Sequence, residues 1–403
     1  MNHFLGPRPG LTLLVMGAAL AGVSCTNEPA ITDPAVLDSP SLASTATTLS
    51  VRQISTSNSG NTPAHACAVT TTSQGYCWGT GYLGNGPAYR VKQTTPVPVS
   101  GGLQFKQISS GHEYTCGVTT VNQIYCWGVN YAGQLGDGTE TDRGTPTRVA
   151  STLRFRMVSA GRNVTCGVTT DDRGYCWGGN WDGQLGNGTT TDSWTPVEVA
   201  GNHRFSLISA GFQHSCGLTT DSKVWCWGSN WVGMLGNGST AEMSTTPVLI
   251  EGGRSYKSVS AGWLHSCAVT LAARAYCWGS GASGQIGDGN KILRRTPRLV
   301  AGGLTFSRVT AGTAHSCGEG PNNETYCWGA NSSGALGNGT NTDTSTPVKV
   351  TGIHYFAQVS AGGYYTCGVS KERAYCWGLN QDGNLGNGTL TNRNSPTPLA
   401  DAS

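Results

Sequence analysis

The sequence predicts an all-β fold, a seven-bladed β-propeller built from repeats of about 50 residues, on three observations. A Cys-Trp-Gly triplet recurs with its tryptophan at positions 78, 127, 177, 227, 278, 328 and 377. That period of 49 to 51 residues lies in the range of solenoids, propellers and arrays. Each unit holds four short β segments set off by turn residues, and no run is long and periodic enough for a helix. Four strands make one propeller blade, and seven blades in one ring override the two or three domains that 403 residues would otherwise suggest.

The elements follow in a fixed order within a unit. In the fourth, Phe205-Ser206-Leu207-Ile208 is an opening strand that leads into a Ser-Ala-Gly turn. A second strand from His214 to Thr219, a polar turn, a third strand ending in Cys-Trp-Gly, a Gly/Asn-rich loop and a Thr-Pro-x-x-Val strand complete it. Val51-Arg52-Gln53-Ile54-Ser55 matches Phe105-Lys106-Gln107-Ile108-Ser109, so the first unit starts at its opening strand; the last ends at Thr397-Pro398-Leu399-Ala400. Ring closure is expected to bring these two ends together in adjacent strands and leave no free edge there. In the first unit an extra loop, Ser57 to Pro63, makes the spacing from Ile54 to Cys67 five residues longer than that from Ile108 to Cys116.

The segments Ser209-Ala210-Gly211-Phe212-Gln213-His214-Ser215-Cys216-Gly217 and Trp227-Gly228-Ser229-Asn230, with Gly183-Gln184-Leu185-Gly186-Asn187-Gly188 one unit earlier, resemble regulator-of-chromosome-condensation repeats. The resemblance covers about residues 50 to 400 and implies the propeller fold. It does not imply an activity, because one fold hosts many functions.

Fourteen of the fifteen cysteines fall into seven pairs: Cys67 with Cys77, Cys116 with Cys126, Cys166 with Cys176, Cys216 with Cys226, Cys267 with Cys277, Cys317 with Cys327, and Cys367 with Cys376. A hairpin about Thr170 to Arg173 sets Cys166 across from Cys176, at a separation compatible with a disulfide. Seven disulfides are expected, one per blade, each contributing roughly 2–3 kcal/mol in the chain-entropy model. The last pair is one residue closer, so its turn must be tighter or bulged. Nine intervening residues do not suit a zinc knuckle, and no metal is expected; an oxidising compartment is.

Residues 1–25 read as a signal peptide, with Arg8 ahead of a thirteen-residue apolar core from Leu11 to Val23 that is too short to span a bilayer as an ordinary helix. Gly22-Val23-Ser24-Cys25 resembles a bacterial lipobox in which Cys25, the odd cysteine, carries the lipid and anchors the chain to a membrane. Residues 26–48, rich in Pro, Ser, Ala and Thr, read as a flexible tether, and residues 49–403 as the propeller. Lys and Arg total 25 against 22 Asp and Glu, a net charge of +3 with no basic stripe, so nucleic acid is not an expected partner.

Seven copies in one chain separate constant positions from variable ones. The tryptophan of Cys-Trp-Gly is expected to pack between blades. His65, Tyr114, Val164, His214, His265, His315 and Tyr365 share one position, a mixture that no metal or catalytic ring would tolerate, so these histidines read as structural. Asp137, Asp182, Asp288 and Asp382 lie in the Gly/Asn loops without the carboxylate density of a calcium site. Those loops also lack the Lys-Ser/Thr and the helix of a phosphate cradle.

The Ala-Gly-x-x loop and the loop after Cys-Trp-Gly must open on the same face. There Tyr82, Tyr131, Trp181 and Trp231 in units one to four, with Arg162, Phe212 and Trp263, make an arc with the composition of a binding hot spot. No paired carboxylates and no Ser/His/Asp order stand out, so neither an enzyme nor a cofactor is expected. The reading is a monomeric, non-enzymatic binding scaffold of the cell envelope or secreted space that recognises a protein through this face. The alternatives are a glycan-binding propeller and, by resemblance, an inhibitor like the secreted seven-bladed relatives that cover the active-site rim of β-lactamases. Nucleotide exchange on a Ran-type GTPase, the activity of the family's founder, does not suit an exported chain.

Overall fold

The computed structural model describes residues 48–59, 63–86, 91–321, 324–353 and 355–402. The signal peptide, the lipobox with Cys25 and nearly all of the tether lie outside them. The described residues form 28 strands in seven four-stranded antiparallel sheets, each made of four consecutive strands. These are the seven blades, at residues 51–98, 105–148, 155–198, 205–249, 256–299, 308–349 and 358–398. No helix among the described residues is long and apolar enough to cross a membrane.

The opening strand of each blade lines a central channel of about 380 Å³, and the Thr-Pro strand is outermost. Proline has no N–H to give a ladder, so an edge position suits it and blunts the exposed edge. The apolar clusters straddle neighbouring blades. Tyr114, Val118 and Ile124 of blade two, for example, pack with Phe155, Val158 and Trp177 of blade three. All seven repeat tryptophans are fully buried. Six donate their indole N–H to the preceding blade's loop, as Trp177 Nε1 does to the Gln134 carbonyl at 3.1 Å. Gly136 makes that approach possible: its φ is +70°, and a Cβ there would meet Trp177 Nε1 at 2.5 Å.

Each cysteine pair forms a disulfide across its hairpin, with Cα atoms 4.0 to 4.1 Å apart. In blade three the turn is a three-residue loop that ends at Asp172 with φ 68°. The last hairpin pairs Ser370 with Arg373 about a two-residue turn, Lys371 and Glu372, both at positive φ, which is the tighter turn that the shorter spacing requires. Seven buried disulfides mark a protein of an oxidising compartment.

Closure differs from expectation in one respect. The chain ends do meet, with Thr48 donating to Asp401 at 2.7 Å, but no strand is shared between the first and last blades. Because every blade is complete within its own repeat, the ring closes by packing and hydrogen bonds. Trp78 donates to the Asn384 carbonyl, and Val51, Ile54 and Trp78 share a core with Tyr365, Val369 and Leu385.

Candidate interaction face

Two loops of each blade meet on one face, as the strand directions require. The loop after Cys-Trp-Gly donates back to the Ala-Gly-x-x loop, Gly179 N–H to the Asn163 carbonyl at 2.7 Å and Ser229 N–H to the Gln213 carbonyl at 2.9 Å. Neighbouring Ala-Gly-x-x loops are tied around the channel mouth by Arg162 N–H to the Gly211 carbonyl, Phe212 N–H to Gly262 and Trp263 N–H to Gly312. Gly161 allows this: a Cβ there would lie 2.2 Å from the Gly211 oxygen.

These ties line up side chains from four blades. The Arg162 guanidinium sits 4.3 Å over the Phe212 ring, and Phe212 stacks on Trp263 at 4.5 Å and 29°. His112 meets the other edge of Phe212 at 6.3 Å. Arg162 Nε is buried without a hydrogen-bond partner. Burial pushes the Tyr131 hydroxyl upward in pKa against the pull of Arg162, and burial raises Asp182 although Gln213 and Arg162 act against it. His112 is lowered, first by burial.

Trp181 and Trp231 stand farther out, 61% and 52% exposed. Each follows an asparagine that organises its loop. Asn180 Nδ2 donates to the Thr189 and Thr191 carbonyls while its Oδ1 accepts from Leu185 N–H, and Asn230 does the same with Ala241 and Leu235. The tryptophans are thus displayed on fixed loops. Tyr82 does not share this setting. In blade one the step from Cys-Trp-Gly to the loop's leucine is three residues shorter than in blade two and sends Leu83 into the core; Tyr82 lies against Asp142 of blade two, which, after burial, raises its pKa. Trp194, exposed on the outer strand of blade three, packs on Gly133 in the loop that carries Tyr131. Comparing units only at the two loops misses it, because the strand position that carries it is Gly144 in blade two and Thr245 in blade four.

Of the blade-one insertion, Ser57 and Ser59 are buried, and Ser57 N–H donates to the Tyr365 hydroxyl of blade seven at 3.0 Å. Asn58 accepts from Thr313 of blade six at 3.0 Å.

His65, His214, His265 and His315 are buried and bond through Nε2 to a Ser or Thr hydroxyl of the next blade at 2.7 to 2.8 Å. Asp137 and Asp288 are held by Arg143 and Arg294, and no group of three or more metal-ligating side chains stands together among the described residues.

No curated protein sequence matches the chain. Among solved structures, human WBSCR16 superposes with a TM-score of 0.70 at 19% identity, covering 80% of this chain and 89% of that one. Yeast RCC1 (Prp20), solved bound to Kap60, gives 0.66 at 21% over 74% and 76%. The CRINKLY WD40 ectodomain of the Arabidopsis thaliana receptor kinase ACR4 gives 0.53 at 22% over 82% and 96%. At these identities the likeness carries the fold alone. The family model of the RCC1-like domain matches residues 74–402, and the chain belongs to that family.

Proposed function

We propose that this propeller is a non-enzymatic scaffold of the cell envelope or secreted space that binds a protein partner through the rim of its channel mouth at blades two to five. The observation that carries the reading is the Arg162–Phe212–Trp263 stack, flanked by Tyr131 and the displayed Trp181 and Trp231. Aromatic rings held on tied loops lose little freedom on binding, and an arginine stacked on one of them supplies directional donors, the make-up of a hot spot. Relatives in fold are known as binders: yeast RCC1 was solved bound to Kap60, and Prp20p was studied for binding to Gsp1p and histones. In this reading the chain is a monomer. Cys25 carries a lipid, residues 26–48 hold the ring away from the membrane, and neither nucleic acid nor a cofactor takes part.

A glycan is the second reading, favoured by the exposed indoles of Trp181 and Trp231, which suit sugar stacking. Enzyme inhibition of the β-lactamase-inhibitor kind would use the same rim. The test is affinity capture from envelope and culture fractions with the disulfide-bonded ring, beside Arg162→Ala and Trp181→Ala/Trp231→Ala versions checked for folding. A protein retained by the unmodified ring and lost from both variants is the expected result. Loss with the tryptophan pair but not with Arg162→Ala assigns a glycan, and equal recovery by all three overturns the reading.

A further inference from the structure

Comparing the seven repeats also singles out blade five. Between residues 251 and 300 stand seven of the chain's 25 Lys and Arg, against only Glu251 and Asp288 among its 22 acids. That stretch is net +5 in a chain of net +3. The cations form no long run in sequence, yet folding brings Arg294, Arg295 and Arg298 onto one outer strand, Arg294–Leu299, with Lys291 just before it.

The loop ahead of that strand departs from the repeat. In blades two, three and six an asparagine N–H donates to an acid twelve residues on, Asn130 to Asp142, Asn180 to Asp192 and Asn331 to Asp343, at 2.7 to 2.8 Å; in blade seven Asn392 takes the acid's place, and in blade four Asn230 N–H donates to the Glu242 carbonyl. Blade five has Gly281 in the first place and Leu293 in the second. Gly281 lets the main chain of Ile292 close in, since a Cβ there would lie 2.1 Å from the Ile292 oxygen. Ile292 and Leu293 are left 54% and 41% exposed, next to exposed Lys291, with Arg298 exposed farther along the same strand. Of the stretch's two acids, Asp288 is held by Arg294 at 2.6 Å, and Glu251 lies by Gly238 and Thr296. Two adjacent exposed aliphatic side chains on a cationic strip are a candidate for an outside contact.

We propose that the outer edge of blade five docks on an anionic lipid bilayer. Ile292 and Leu293 enter the boundary between headgroups and acyl chains, and Lys291 and Arg298 face anionic headgroups. Aliphatic tips with cations on the same strip are the chemistry of that interface. A soluble acidic polymer would engage the cations and leave the two aliphatics wet. Docking by a blade edge leaves both faces of the ring open, including the face with Arg162.

The test uses the chain from Thr26 onward, so that neither the apolar segment Leu11 to Val23 nor an acyl chain on Cys25 contributes. It is sedimented with phosphatidylcholine vesicles and with vesicles containing about one third phosphatidylglycerol. Binding is expected with the anionic vesicles only and should weaken as salt is added. It should fall about tenfold or more both in Ile292→Ser/Leu293→Ser and in Lys291→Gln/Arg298→Gln. All four side chains are exposed, so an unchanged melting temperature verifies that the variants fold. No binding to anionic vesicles at low salt overturns the proposal, as does undiminished binding by the Ile292→Ser/Leu293→Ser variant. Binding to heparin as strong as to vesicles, and indifferent to the aliphatic pair, would also overturn it and assign the strip to an acidic polymer.

Discussion

Thr56 N–H of blade one donates to Ser360 Oγ of blade seven at 3.1 Å, the link that closes a circle. The same bond recurs from Ser110 to Ser55, Ala160 to Ser109, Ala210 to Ser159, Ala261 to Ser209, Ala311 to Ser260 and Ala361 to Thr310. The serine of the Ser-Ala-Gly turn is therefore a joint between blades. Ser159→Ala should cost about 1 kcal/mol because it strands one N–H of the neighbouring blade, and Ser360→Ala should cost at least as much, since it also gives up the bond to the Thr56 hydroxyl at 2.8 Å. Urea unfolding of both variants checks this. A smaller effect at Ser360, or an early transition confined to blade seven by hydrogen exchange, would mean that the closing joint is weaker than the rest.

The blade plan, the disulfides and the buried tryptophans were legible in the sequence because each is repeated seven times, and repetition exposes what every blade needs. The joints were legible only as a pattern. Nothing local in Ser-Ala-Gly says that its hydroxyl accepts from the next repeat, about 50 residues on. The packing of Ser57 and Asn58 against blades six and seven was hidden for the same reason, since its partners Tyr365 and Thr313 lie some 300 and 255 residues away. Counting from Cys-Trp-Gly placed Tyr82 with Tyr131, although the blade-one step to the loop's leucine lacks three residues and resumes its register at Leu83. Sequence comparison did find the rim residues Arg162, Phe212 and Trp263; that they stack depends on the ties between Ala-Gly-x-x loops.

Two classes of tryptophan should respond differently to truncation. Trp177→Ala empties a site in the core between blades two and three and should cost about 3–5 kcal/mol. Trp181→Ala and Trp231→Ala remove exposed side chains and should stay within about 0.5 kcal/mol. Trp127 is the informative intermediate. Its Nε1 is buried with no partner, so Trp127→Phe should cost less than Trp177→Phe, which also forfeits the bond to Gln134. Denaturant midpoints of the three alanine variants and the two phenylalanine variants measure all of this.

Reductant should act on the ring only through unfolding, because all fourteen paired cysteines have no exposed surface. Thiol labelling in dithiothreitol is therefore expected to be slow in buffer and to accelerate as urea approaches the unfolding midpoint. Replacing one pair, Cys317→Ala/Cys327→Ala, should lower stability by about 2–3 kcal/mol in the chain-entropy model. Rapid labelling of the native protein would show that the hairpins open independently.

Acid should weaken the ring well above the carboxylate range. Burial pushes His65 and His315 down to about 4 and His214 and His265 down to about 3, from an ordinary value of 6.5. The charged or titratable neighbours acting on them are His112 on His65, and His214 and His315 on His265, each lowering it further. An unfolded chain takes up protons as the pH falls through 6.5, while the folded chain refuses them until about pH 4 or below. Stability is then whole at pH 7 and declines from about pH 6.5 downward. Each histidine adds up to about 1.4 kcal/mol per pH unit to the slope. His214→Gln keeps a donor for Ser266 but cannot titrate, so it should flatten the dependence by one histidine's share. Urea midpoints between pH 7 and 4.5 for the unmodified ring and this variant give the two slopes. Identical slopes would mean that His214 takes up its proton in the folded ring as readily as in the unfolded chain, and the burial argument for these four positions would fail.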